Sequence, residues 1–208
     1  MTVETTTPSE ITRAVRRLTE TVVPGGNPVY VPVQPEVDAT VNECFPNVQA
    51  KIARAGGQML CGWQLWEWSH VLIEAEFHAV WVSPEGDMVD ITPKPEGETR
   101  ILFVPNSRLR YQGLAVDNVR MPLRDDQLIR HFIEVSEAIV RVMNRGERAS
   151  QYGHISVPAH EIEPLLLARD FLGQSLALGL RDHALCLCGS SNKYKRCHGR
   201  QLELLLHR

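Results

Sequence analysis

The chain has 208 residues, 43% of them hydrophobic and 23% charged, with a formal net charge of −3. That composition excludes a disordered or fibrous chain, and the length suits one ordinary domain or one domain with a small appendage. The slight acidity excludes broad electrostatic binding of nucleic acid, and no apolar run reaches the length of a membrane helix. The Thr-rich stretch Met1 to Ser9 has no apolar segment behind it, so no secretory signal is expected and the cytoplasm is the default compartment. Cys44 and Cys61 lie alone, whereas Cys186, Cys188 and Cys197 fall within twelve residues, a crowding that reads as metal binding.

In chain order, Ile11, Ala14, Val15, Leu18 and Val22 keep helical spacing behind a cap at Ser9. Pro24 to Pro35 reads as an extended connector. A second helix is expected from Glu43 to Ala55, capped by Asn42 and stopped by Gly56 and Gly57. Strands are expected over Gln58 to Glu67, Val71 to Val82 and Asp87 to Thr92. Odd positions there are mostly apolar and even positions more polar, the alternation of a sheet with one covered face. A short strand at Ile101 to Val104 follows. A helix is expected from Asp126 to Asn144, ended by Gly146, and another from Glu163 to Leu178 with Pro164 in its first turn. These elements divide the chain into an α+β core (1–123), a helical segment (124–182) and a metal-binding tail (183–208).

Cys186, Cys188, Cys197 and His198 are the donor set of a closed tetrahedral zinc site, one structural ion per chain. So small a segment has almost no core, so the metal would supply most of its folding energy. The string C-x-C-G-S-x-x-K-Y-K-x-C-H-G over Cys186 to Gly199 resembles the SEC-C motif, the zinc-binding tail of bacterial translocase motors, with Ser191 at a usual glycine. The resemblance implies a docking module for a protein or the ribosome. Lys193, Lys195, Arg196 and Arg200 make it locally basic, which suits an acidic partner or a merely solvated face.

Cys44 falls in the first turn of its helix, where unpaired N–H groups and the positive end of the dipole favour a thiolate. Such a nucleophile needs a base and a group to orient it. A hairpin turn at Pro84-Glu85-Gly86 sets Ser83 opposite Asp87 and His78 opposite Thr92. His78 and Asp90 then share a face as diagonal neighbours about 7–8 Å apart at the backbone. The order Cys44, His78, Asp90, with His78-Ala79-Val80-Trp81 and Asp90-Ile91-Thr92-Pro93, resembles the transglutaminase-like branch of the papain-like fold. That resemblance covers Cys44 to Pro93. It implies a helix packed on a small antiparallel sheet, with Cys44 as nucleophile, His78 as general base and acid, and Asp90 as orienting carboxylate. Asn42 and Glu43 depart from the small residues common before the nucleophile. No side chain stands out as oxyanion donor; the Cys44 N–H is the default, with Gln64 or a tryptophan behind it.

Cys61 falls on the apolar face and reads as core. Trp63 and Trp81 share that parity. Trp66 and Trp68 share the parity of His78, and either line a cleft or pack under the helix of Cys44. Three functions remain open on the residues. The first is a cysteine hydrolase or acyl-transferase acting on a protein or peptide amide. The second is a non-catalytic adaptor docking through the zinc motif. The third is a metalloenzyme using Glu76, His78 and Asp90.

Overall fold

A computed structural model describes residues 5–151 and 155–206. The fold is mixed α/β: an antiparallel sheet curled nearly into a barrel, a helical layer, and a C-terminal Cys/His cluster. The elements are α1 (Arg13–Val22), β1 (Val29–Pro32), α2 (Cys44–Ala55), β2 (Gln58–Trp68), β3 (Leu72–Val82), β4 (Met88–Val89), β5 (Arg100–Pro105) and β6 (Val119–Pro122). Then come α3 (Gln127–Met143), a 3₁₀ turn at Gly146–Ser150, α4 (Ala159–Ala177), a 3₁₀ turn at Tyr194–Arg196 and α5 (His198–Leu206).

The strand order is β1-β5-β2-β3-β4, with β6 beside β3 at its other end. Twist brings the two edges of this sheet together. The chain leaving β1 meets the chain leaving β4 at a parallel bridge between Val33 and Asp90. There the Asp90 N–H donates to the Pro32 carbonyl at 2.9 Å and the Gln34 N–H donates to the Asp90 carbonyl at 2.8 Å. The Pro-rich connector therefore contains β1, which tolerates Pro32 because the seam uses the Pro32 carbonyl and no N–H from that residue.

The β2–β3 register sets Gly62 opposite His78 and Gln64 opposite Glu76. The β3–β4 ladder pairs Trp81 with Val89 and Val82 with Met88, and the Ser83 N–H donates to the Asp87 carbonyl, the pairing the hairpin turn requires. Gly86 supplies the left-handed residue, φ 99°. The strand after that turn is far shorter than expected. β4 ends at Val89, because Asp90 abandons β3 to close the seam with β1.

The alternation predicts one covered face; both are covered. Odd positions pack under the helices: Leu65, Ile73 and Ala75 under α1, and Ala79 and Ile91 with Cys44 and Val48 of α2. Even positions of β2 and β3 turn into the curl, where Val80 meets Val31 of β1 and Ile101 and Phe103 of β5 in a separate small core. Burial of each such side chain is worth about 1.5–3 kcal/mol. His78, 3% exposed, lies on this inner face.

Several element bounds shift. Thr12, not Ser9, caps α1. Asn42 does not cap α2; Glu43 holds the N-cap and Asn42 turns the chain at φ 63°. Asp126 caps α3 as expected, accepting from the Leu128 N–H. The fourth helix begins at Ala159, so Pro164 sits inside it and not in the first turn. α3, α4, Cys186, Tyr194 and Leu202 share one hydrophobic core with Val71 and Leu72 of the sheet. No helix among the described residues is long and apolar enough to cross a membrane.

Candidate functional site

Cys44 is the first residue of α2, and its side chain is buried against Ala79 and Ile91. The N–H groups of a first helical turn have no carbonyl four residues back, so their positive field falls on this thiol. Asn47, one turn on, fixes the helix in place. Its amide exchanges two hydrogen bonds with the Thr40 backbone (3.0 and 2.8 Å) and donates to Thr92 Oγ1 at 3.2 Å, beside Asp90.

The His78 Nε2 lies 3.0 Å from Asp90 Oδ2, both side chains buried. Asp90 Oδ1 accepts from the Thr92 N–H at 3.0 Å, which locks the carboxylate plane. Nε2 is thus engaged by Asp90, and Nδ1 is the ring nitrogen left for the cleft that Cys44 also lines. Burial disfavours a charged imidazole, but Asp90 and Cys44 together outweigh it and push His78 up to about 9. Asp90 shows the same contest: burial favours its neutral form, and His78 with Lys94 hold it below the ordinary range. Gly62 makes room for this. A Cβ there would meet the Phe103 ring at 2.5 Å, and that ring stands edge-on 6.5 Å from His78.

A cleft of about 30 Å³ opens beside Cys44 and His78, walled by Gln64, Trp66, Glu76 and Lys94 among others. Trp66 donates its indole N–H to Glu76 Oε2 at 2.7 Å on that wall. Trp68 goes elsewhere: it stands edge-on to Phe132 in the helical core. Cys61 is buried, and burial pushes its thiol up.

Three residues of the site escaped the sequence reading. Lys94 Nζ lies 2.6 Å from Asp90 Oδ2 with its side chain 5% exposed. It follows the strand in a loop, where alternation carries no signal. Asn47 sits on the buried face of α2, and a polar residue at such a position was the available clue. Tyr111, from the loop after β5, stacks on Phe45 at 3.8 Å. Burial and the nearby Cys44 and Glu43 push its hydroxyl up.

Glu76, His78 and Asp90 are not gathered into a metal-ligand cluster among the described residues. Among the described residues the donor atoms that converge are those of Cys186, Cys188, Cys197 and His198. Glu76 is engaged by Trp66, and the Lys94 cation occupies the place beside Asp90 that a metal ion would need.

The C-terminal cluster is built by a minimal hairpin. Leu185 bridges Lys193, and the Cys186 N–H donates to the Asn192 carbonyl at 2.8 Å. Its four donor atoms lie within 4.8 Å of one another. Cys188 Sγ is 3.5 Å from Cys197 Sγ, and Cys186 Sγ is 3.3 Å from His198 Nδ1. A tetrahedron with metal–sulfur bonds of about 2.3 Å has sulfur–sulfur edges of about 3.8 Å, so the set fits a single ion closely. Hydrogen bonds from Ser190 lead in lowering the Cys188 thiol to about 6, while burial raises Cys186. Ser191 takes φ 61°, which explains the glycine usual at that place in the motif.

Two contacts seat the cluster on the helices. His198 stacks on Phe171 of α4 at 4.3 Å. Tyr194, 2% exposed, meets His131 Nδ1 of α3 at 2.6 Å. Burial pushes His131 down and Tyr194 up, which favours the neutral form of both.

The SEC-C motif family matches residues 184–200. No curated protein and no solved structure matches the chain.

Proposed function

We propose that the protein is a cysteine hydrolase or acyl-transferase whose nucleophile is Cys44, in a papain-like, transglutaminase-like arrangement over residues 1–123. The observation that carries this reading is the buried His78–Asp90 pair that shares one cleft with Cys44, the first residue of α2. Cys44 Sγ attacks the carbonyl carbon of a peptide or protein amide, forming a C–S bond and a tetrahedral oxyanion. The His78 imidazolium gives its proton to the leaving amine as the C–N bond breaks, leaving a thioester. Water or a second amine then adds to the thioester carbon, giving a proton to His78 as the new C–O or C–N bond forms, and the C–S bond breaks to release the Cys44 thiolate. Asp90 holds Nε2 throughout and stabilises the imidazolium.

Cys186, Cys188, Cys197 and His198 would hold one zinc ion. When bound, the ion supplies a structural cross-link and no open coordination position. A second reading, adaptor function, is supported by the SEC-C match and by exposed Lys193, Lys195, Arg196 and Arg200, a basic rim suited to an acidic protein or ribosomal surface. The two readings are compatible within one chain.

Alkylation by iodoacetamide, read site by site by mass spectrometry at pH 7, tests the first reading. Cys44 should react at least about tenfold faster than Cys61, whose raised thiol is an internal reference, and His78→Ala should erase the difference. Equal rates for the two thiols, unmoved by His78→Ala, would leave the adaptor reading alone.

A further inference from the structure

A groove of about 770 Å³ opens where the end of α3, the first turns of α4 and the end of α5 meet. That volume lies within the span of small-molecule sites, about 300–1,000 Å³. Its floor is aliphatic: Ala138 and Val142 of α3, Leu165 of α4, and Leu205 and Leu206 of α5, all at the edge of the helical core. Among the described residues, no Phe, Tyr or Trp ring on which a base would stack lines it, and no hydroxyl. The rim is charged, and its two signs differ in what they already hold. Glu161 Oε2 accepts from Arg148 at 2.9 Å, and Asp117 Oδ1 accepts from Arg120 at 2.9 Å. The cations are not engaged in this way. Arg145 feels the field of Glu161 but makes no ion pair among the described residues. Arg141, 65% exposed, approaches Glu137 only to 3.8 Å, beyond a hydrogen bond. His160 adds a ring N–H from the facing helix.

We propose that this groove binds a free long-chain carboxylate, with its hydrocarbon on the aliphatic floor and its head between Arg141, Arg145 and His160. The two arginines are four residues apart, about one helical turn, so a single head group lies within reach of both. A guanidinium presents paired N–H groups that match the two oxygens of a carboxylate. The methylene stems of both arginines extend the apolar floor toward the rim. Affinity then comes from the chain, at about two- to fourfold per methylene removed from water. The exposed head-group pairs add only about two- to fivefold each, but they set the sign of the ligand. The groove shares no residue with the Cys44 cleft and none with the Cys/His cluster, so it stands whether or not Cys44 is a nucleophile. A ligand lying there touches three helix ends at once and should slow their fraying.

Isothermal titration of the full chain with decanoate, octanoate, 1-decanol and decyltrimethylammonium at low salt tests the assignment. Decanoate should fill one site per chain, about tenfold or more tighter than the cationic analogue, and octanoate should bind about four- to sixteenfold more weakly than decanoate. The double variant Arg141→Gln, Arg145→Gln should weaken decanoate by about five- to twentyfold and leave 1-decanol within about twofold. Arg145→Lys, which keeps the charge, should stay within about threefold of the wild type. Both arginines are exposed, so melting curves of these variants should match the wild type. Bound decanoate should also raise amide-exchange protection at 138–145, 159–165 and 203–206. Absence of saturable decanoate binding at millimolar concentration would overturn the proposal. So would equal affinity for the anionic and cationic chains, or decanoate binding unmoved by the double variant. A synthetic Leu/Glu amphipathic helix that binds through the two arginines while decanoate does not would also overturn it, and would mark the groove as a protein-docking surface. Cosedimentation with phosphatidylglycerol vesicles in place of decanoate binding would transfer it to a membrane surface and overturn it equally.

Discussion

The Cys/His cluster draws its four donors from a hairpin and one helical turn, all within residues 186–198. The Cys44 cleft draws its groups from α2, β2, β3, the seam at Asp90 and the loop carrying Lys94. The first is local in sequence, and Cys186, Tyr194 and Leu202 seat it in the core of α3 and α4. The second needs no ion. Its geometry depends on the sheet curling far enough for Val33 to meet Asp90, and on a buried network of one carboxylate and two cations. The contrast teaches that crowded cysteines and dispersed cysteines are stabilised by different means, and that they should fail differently.

The largest expected effect separates the two failures. Cys197→Ser should abolish stoichiometric zinc by elemental analysis and strip amide-exchange protection from residues 183–206, while β2 and β3 keep theirs. Tyr194 and Leu202 lie in the same core as α3 and α4, so the damage should spread to those helices. With about 2–4 °C lost per kcal/mol in a chain of this size, the melting temperature should fall by about 10 °C or more. Exchange loss in β2 and β3 as great as in the tail would break the comparison, because it would mean the sheet leans on the metal too.

Asp90→Asn comes next. It leaves the Lys94 and His78 cations facing a neutral amide in a buried site, a loss of about 3–5 kcal/mol by urea unfolding. The pH profile of stability sharpens the point. His78 is held above its ordinary 6.5, at about 9, so its contribution is complete below about 6.5 and fades as pH climbs through about 9. Asp90 is held below its ordinary 3.8, so its contribution is present above that value and fades as pH falls further. Stability of the wild type relative to Asp90→Asn should therefore be greatest between about pH 4 and 6.5 and shrink on either side. A flat difference would mean that the network is not what holds the seam.

The smallest effect has the opposite sign and is purely local. Ser191→Gly relieves a left-handed residue in the hairpin and should stabilise the tail by about 0.5–1 kcal/mol, read as slower amide exchange there with zinc bound. No change is expected in the Cys44 alkylation rate. A change there would show that the two sites communicate.

Much of the architecture was legible because it rests on short-range rules. The turn at Pro84-Glu85-Gly86 dictates that Trp81 faces Val89, and alternation places His78 and Gln64 on one face. β1 was read as a connector because prolines hide an edge strand. α5 went unnoticed because a short helix beside metal ligands has little periodicity to display. The reading of Pro164 as a first-turn residue failed for a related reason: proline marks helix starts on average, but here Ala159 already begins the helix.

Sequence by itself pointed to the Cys/His cluster and its four donor residues, because spacing along a few residues already limits which side chains can converge; the left-handed backbone of Ser191 came from the structure. It also determined the parity of His78 and the helix-start position of Cys44, since periods of 2 and 3.6 are set by the backbone. Only the tertiary structure decided the rest. Burial of both sheet faces, the early departure of Asp90 from β3, and the meeting of Lys94 with Asp90 and Gln64 all follow from curling of the sheet. Curling sums small twists over every strand, and no local pattern of residues encodes that sum.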